Sequence, residues 1–161
     1  MTGTDKTVKR QSALDWIVVA NAARARVFER DDENQALREI ADCVHTASRQ
    51  PGAALTHDRP GQARKSQAST AFAPHTAPLE REHERFAREV AKLLEDAALS
   101  HRMPALVLLA SNPFLGELKA QLGDAARKLL KGSAPVDLTL YQHADLEHRV
   151  TRALADVTLG A

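Results

Sequence analysis

The sequence predicts an α/β domain: a mixed sheet of about five strands with helices packed on it. Three observations carry this expectation. Two short apolar runs, LDWIVVAN and ARVFER, open the folded part at residues 14–30. A long amphipathic pattern at 78–101 is followed by the continuous apolar run ALVLLAS at 105–111. Strand-like and helix-like segments then alternate to the end, the order expected when helices pack on a sheet.

The elements follow in chain order. Residues 14–21 form a short apolar run with β-branched residues, and the second run alternates Ala25 and Val27 against Arg26 and Phe28, so the two predict a hairpin around Ala22, Ala23 and Arg24. LREIADCVHTAS, from Leu37, is a third strand, although Leu-Arg-Glu-Ile also fits a helical turn. From 78 onward Leu79, Phe86, Val90, Leu93, Leu94, Ala97 and Ala98 recur at three- and four-residue steps, one face of a helix. ALVLLAS fits a central strand buried on both faces. Ser111, Asn112 and Pro113 then supply an N-cap and a proline for the next helix, which runs to a C-cap at Gly132 with a break at Gly123. VDLTLYQ at 136–142 alternates Val136, Leu138 and Leu140 as a last strand, and HADLEHRVTRALADV closes as a helix.

The chain has 161 residues, the size of one domain with its own core. We assign that domain to residues 14–158 and expect the polar residues 1–13 to be a disordered tail rather than a signal peptide. Hydrophobic residues at 43% and charged ones at 27% exclude disorder throughout. A formal net charge of +1 gives no global attraction to nucleic acid or membrane, so basic character has to be local. It is concentrated in a long loop at 49–78, rich in Gly, Pro, Ser and Ala, where Arg49, Arg59, Arg64 and Lys65 face only Asp58 until the helix begins. Loops of that length are functional or disordered.

No apolar run approaches the length that spans a bilayer, and the single Cys43 forms no internal disulfide. These features predict a cytoplasmic protein with no membrane partner and no cofactor. The histidines lack metal-ligand spacing, since His143 and His148 point to different helix faces and no H-E-x-x-H occurs, so no metal site is expected. No nucleophile elbow accompanies His57, Asp58, Ser66 or Ser69.

Two candidate sites remain. In the loop, Pro60-Gly61 suits a type II turn, and Arg59, Arg64 and Lys65 could neutralise phosphates with Gln62 at the tip. Ser111 and Asn112 stand where a strand ends and a helix begins, a place that attracts anions.

Several segments together, IVVANAARARVFER, the Asp-Arg-Pro-Gly loop, HERFAREVAKLL, LVLLASNPFLGELKAQL and DLTLY, resemble the bacterial host attachment protein family. That family is similar to the middle domain of archaeal and eukaryotic class I release factors and of Pelota. The resemblance implies a ribonuclease-H-like sheet. It also sets Pro60-Gly61-Gln62 where release factors carry Gly-Gly-Gln, with Pro60 removing the freedom of the first glycine. The expected function is a translation-associated RNA- or ribosome-binding module that uses Arg59, Gly61, Gln62, Arg64 and Lys65 for RNA. Two alternatives stand beside it: a peptidyl-tRNA esterase with Gln62 as the catalytic residue, and a protein-interaction domain that affects surface attachment.

Overall fold

The computed structural model describes residues 14–45 and 73–159. The expected tail at 1–13 and most of the expected loop at 49–78 lie outside the described residues.

Strands β1 (Asp15–Ala20) and β2 (Arg24–Arg30) form the antiparallel hairpin that the apolar runs predict. The turn between them is held by Asn21, whose Oδ1 accepts from the backbone N–H of Ala23 at 2.8 Å and of Arg24 at 2.9 Å. Strand β3 (Leu37–Val44) joins β2 antiparallel, with a register shift between Val27 and Phe28. Helix α1 (Ala73–Leu99) then runs for 27 residues. It begins earlier than the sequence pattern suggests and contains Pro78, whose ring removes one backbone hydrogen bond without stopping the helix. The last six residues of the expected loop are therefore helical.

Strand β4 (Leu106–Ala110) pairs parallel with β1. Helices α2 (Phe114–Gln121) and α3 (Asp124–Leu129) are separated by Leu122 and Gly123, the break expected near Gly123. Beyond that point the structure departs from expectation. The chain enters β5 (Leu130–Ala134) directly, parallel to β4, so Gly132 is a strand residue and not a helix cap. Residues 136–142 form no strand. Leu138 and Thr139 are buried in succession while Leu140 is 86% exposed, which breaks the period of two. Helix α4 (His143–Ala155) and the two-residue edge strand β6 (Thr158–Leu159), antiparallel to β5, follow.

The sheet order is β3-β2-β1-β4-β5-β6. β1 and β4 occupy its centre and are buried on both faces. One face carries Trp16, Val18 and Ala20 of β1 and Leu106, Leu108 and Ala110 of β4 against Phe86, Val90 and Leu94 of α1 and Phe114 and Leu118 of α2. The other carries Ile17, Val19, Val107 and Leu109 against Leu146 and Val150 of α4. α1 buries the stripe that its periodicity predicts, except that Leu79 is exposed, in the first turns of the helix.

α1 also caps its neighbour. Helix α3 has only six residues and Gly123 at its N-cap, which offers no side chain to the free N–H groups. Glu95 of α1 takes that role, accepting from Ala125 N–H at 3.2 Å and Ala126 N–H at 2.9 Å. A Cβ at position 123 would lie 2.5 Å from the Glu95 carboxylate, so Gly123 makes room for the cap. Replacing Glu95 by Ala should cost about 1–2 kcal/mol in urea unfolding. Gly123→Ala should cost less in that background than in the wild type, because the two act on one contact. Fully additive losses would contradict the shared cap.

Candidate functional site at the carboxyl edge of the sheet

The strand directions bring several segments to one edge. β1, β3, β4 and β5 all run the same way, since β3 is antiparallel to β2 and β2 to β1. Their carboxyl ends are Ala20, Val44, Ala110 and Ala134. Ser111 donates its backbone N–H to Ala20 O at 3.3 Å, and His45 donates its own to Ala23 O at 2.9 Å, so the ends of β1, β3 and β4 are tied together. Open α/β sheets bind ligands at such an edge.

The segment 135–142 lies across this edge and is built by side-chain hydrogen bonds instead of a ladder. Asp137 Oδ1 accepts from Thr139 N–H at 3.0 Å and Thr139 Oγ1 at 2.7 Å. Asn21 Nδ2 donates to Asp137 Oδ2 at 2.9 Å and to Thr139 Oγ1 at 3.1 Å, so one asparagine fixes both the hairpin turn and this crossing segment. From β2, Arg26 is 5% exposed, and four of its five guanidinium N–H groups are hydrogen-bonded. Its Nε and Nη2 donate to the Glu39 carboxylate at 3.0 and 3.2 Å, and its Nη1 donates to the carbonyls of Thr139 at 3.2 Å and Tyr141 at 2.8 Å. Pairing and hydrogen bonding together are what make a buried guanidinium tolerable.

Two further contacts shape the edge. Arg24 forms a two-pronged pair with Asp42 at 2.9 and 2.7 Å, and its hydrogen bonds hold the Asp42 carboxyl below its ordinary value against the upward push of burial. His45 is buried and stacks on Phe86 with ring centroids 4.9 Å apart. Its Nε2 lies 3.2 Å from Glu82 Oε1, near enough for an ion pair but misaligned for a hydrogen bond. That contact sets the third turn of α1 beside the end of β3.

Of the residues singled out in the sequence, Arg59, Gly61, Gln62, Arg64 and Lys65 lie outside the described residues. Ser111 is half-buried and Asn112 exposed at the carboxyl edge, as the strand-to-helix pattern predicts. The capping expected of them is not there. Pro113 itself occupies the N-cap position of α2, no side chain caps the helix, and Ser111 contributes only its carbonyl, which accepts from Leu115 N–H at 2.9 Å. The grouping of Asn21, Arg26, Asp137 and Thr139 is not visible in the sequence. The one local signal was Asp137-Leu138-Thr139, in which an aspartate two residues before a threonine favours a turn over a strand.

The edge has no evident hydrolytic arrangement among the described residues. The Thr139 hydroxyl donates to a carboxylate, and no histidine accepts from it. No group of three or more His, Cys, Asp or Glu could hold a metal ion among those residues. Nor is any described helix long and apolar enough to cross a membrane. Burial raises the Cys43 thiol pKa, which keeps it in the unreactive protonated form.

A family model described as "protein required for attachment to host cells" matches residues 16–150. The chain belongs to that family. No curated protein matches this host attachment chain. Among solved structures it is similar to the crystal structure of an archaeal translation termination factor, aRF1, at 11% identity and a TM-score of 0.51, over 97% of this chain and 43% of that one. A structure described only as an archaeal protein aligns at 9% identity with a TM-score of 0.49, over 97% and 42%. The host attachment chain thus spans less than half the length of either. The first likeness agrees, as one of fold, with the mixed α/β sheet and packed helices that the sequence suggests.

Asp137 makes the carboxyl edge of the family protein sensitive to acid. Burial pushes its carboxyl pKa up, but hydrogen bonds from Asn21 and from the Thr139 hydroxyl and N–H outweigh this and hold it below the ordinary value. A depressed folded pKa stabilises the protein above the unfolded value of about 3.9, and that stability is lost as pH falls through the folded value. Asp137→Asn should therefore lose less stability than wild type on going from about pH 6 to about pH 3. Urea midpoints at the two pH values check this, and equal losses would contradict it.

Proposed function

We propose that this host attachment family chain is a translation-associated module that docks on ribosomal RNA through residues 46–72 at the carboxyl edge of the sheet. One observation carries the reading. His45 ends the described chain at that edge, and Glu82, in the third turn of α1, lies against it, so the amino-terminal half of α1 and the end of β3 meet at the same end of the sheet. The segment contains Arg49, Arg59, Arg64 and Lys65 against the single acid Asp58. Such a local excess suits phosphate, whereas the whole chain is nearly neutral.

In this reading Arg59, Arg64 and Lys65 neutralise phosphates, Gly61 shapes the turn, and Gln62 makes a contact at the tip. Ser111 and Asn112 flank the same edge and add polar contacts to the backbone of the bound strand. The protein acts in the cytoplasm, and the attachment phenotype that names the family follows from altered translation. The fold shared with a translation termination factor is consistent with a ribosomal role.

Co-sedimentation with ribosomes over a range of salt tests the proposal. Wild type should pellet with ribosomes, and its affinity should fall steeply as salt rises. Replacing Arg59, Arg64 and Lys65 together by Ala should reduce the log–log salt slope by about 2 to 3, as expected for three lost phosphate contacts. Absence of wild-type binding at low salt, or binding unchanged in the triple variant, would overturn it.

A further inference from the structure

The outward side of α1 carries a charge pattern that the fold does not need. Its inward side buries Phe86, Val90 and Leu94 on the sheet. On the opposite side Arg81, Arg85, Arg88 and Lys92 follow one another at steps of four, three and four residues, and all of them are exposed. At about 3.6 residues per turn they fall within an arc of about 60° and run along about 16 Å of helix. From 81 to 92 no residue of another kind lies in that arc.

This arrangement works against the helix. Residues three or four apart are neighbours on a helix surface, and like charges at that spacing repel. The stripe holds three such pairs in succession: Arg81 with Arg85, Arg85 with Arg88, and Arg88 with Lys92. The acids of α1 offset them little, because most are engaged at its flanks. Glu82 lies against His45 and reaches Arg85 only at 4.0 Å. Glu89 is on the β3 side, where its charge adds to burial and to Asp42 in raising the Cys43 thiol pKa. Glu95 caps α3. Lys92 pairs with Asp96 at 3.2 Å, whereas Arg81 and Arg88 pair with none of the described acids, the exposed Glu84 included. A local rule broken on an exposed face without a compensating contact is the mark of a functional surface.

We infer that this stripe is a docking surface for the phosphate backbone of double-stranded RNA. A straight row of cations fits a linear polyanion, and three of the four are arginines, whose planar fork suits phosphate. The stripe does not suit a membrane, because α1 spends its apolar side on the sheet and has none left to enter lipid. Arg81 and Arg85 flank Glu82 at the carboxyl edge, so the stripe leads from that edge along the helix. The choice of RNA as the polyanion rests on the ribosomal reading above; the row of cations stands apart from residues 46–72.

Binding of the full-length protein to a short fluorescein-labelled RNA duplex, followed by anisotropy over a range of salt, tests the inference. Wild type should bind with an affinity that falls steeply as salt rises. Changing Arg81, Arg85, Arg88 and Lys92 together to Gln should weaken binding at low salt by about tenfold or more and reduce the log–log salt slope by about 3. The urea midpoint of that variant should equal or exceed that of wild type, since it relieves like-charge repulsion. The variant lacking Arg59, Arg64 and Lys65 should keep a salt-sensitive affinity that disappears when the stripe is changed as well. Full binding by that loop variant, with loss in the stripe variant, would support the stripe and count against docking through residues 46–72. Duplex binding unchanged in the stripe variant, or abolished by the loop substitutions alone, would overturn the inference. So would a lower urea midpoint, which would make the cations part of the fold, or stripe-dependent pelleting with phosphatidylserine vesicles in the absence of duplex binding.

Discussion

Strand β1 lies parallel to β4 and antiparallel to β2, and this pairing at the centre of the sheet organises the rest of the molecule. A parallel neighbour requires a crossover, because the chain must return to the end from which it started. After the β1-β2-β3 meander the chain is again at the carboxyl edge, and α1 carries it back to the start of β4. At about 1.5 Å per residue the 27 residues of α1 span about 40 Å, far more than five-residue β4 needs. Glu82, nine residues in from the amino end of α1, lies beside His45, so this part of the helix is held against the end of β3. The position of the candidate site thus follows from strand pairing in the core.

The same pairing explains why the edge is polar yet rigid. Buried backbone groups that are not in a ladder need other partners. In the segment 135–142 the carbonyls of Thr139 and Tyr141 find Arg26, and the N–H of Thr139 finds Asp137. Asn21 then ties Asp137 to the β1-β2 turn. The network makes the crossing segment as well determined as a strand, although it has no ladder bonds.

Much of this architecture is legible in the sequence wherever burial imposes a period. Five consecutive residues of β1, Trp16–Ala20, and the five of β4 match continuous apolar runs, and α1 follows the three- and four-residue steps through Phe86, Val90 and Leu94. β5 is not legible, because Lys131 and Gly132 have poor strand propensity and are placed by the pairing with β4. The alternation of Val136, Leu138 and Leu140 misleads, since the place in the sheet next to β4 is already taken by β5 and the local turn chemistry of Asp137 prevails. At the site, Ser111 and Asn112 could be placed from a strand followed by a helix start. The bond between Asn21 and Asp137 spans 116 positions and leaves no local trace.

In the proposed ribosomal role, the carboxyl edge with residues 46–72 is the face presented to the ribosome. Hydrogen exchange of backbone amides, followed in the free protein and in the presence of ribosomes, tests it most directly. Docking through this edge should add protection in residues 46–72 and at positions 21–24, 111–113 and 137–142, with residues 101–105 at the far edge unchanged. Protection confined to the far edge or to the exposed face of α4, or none at all, would contradict it.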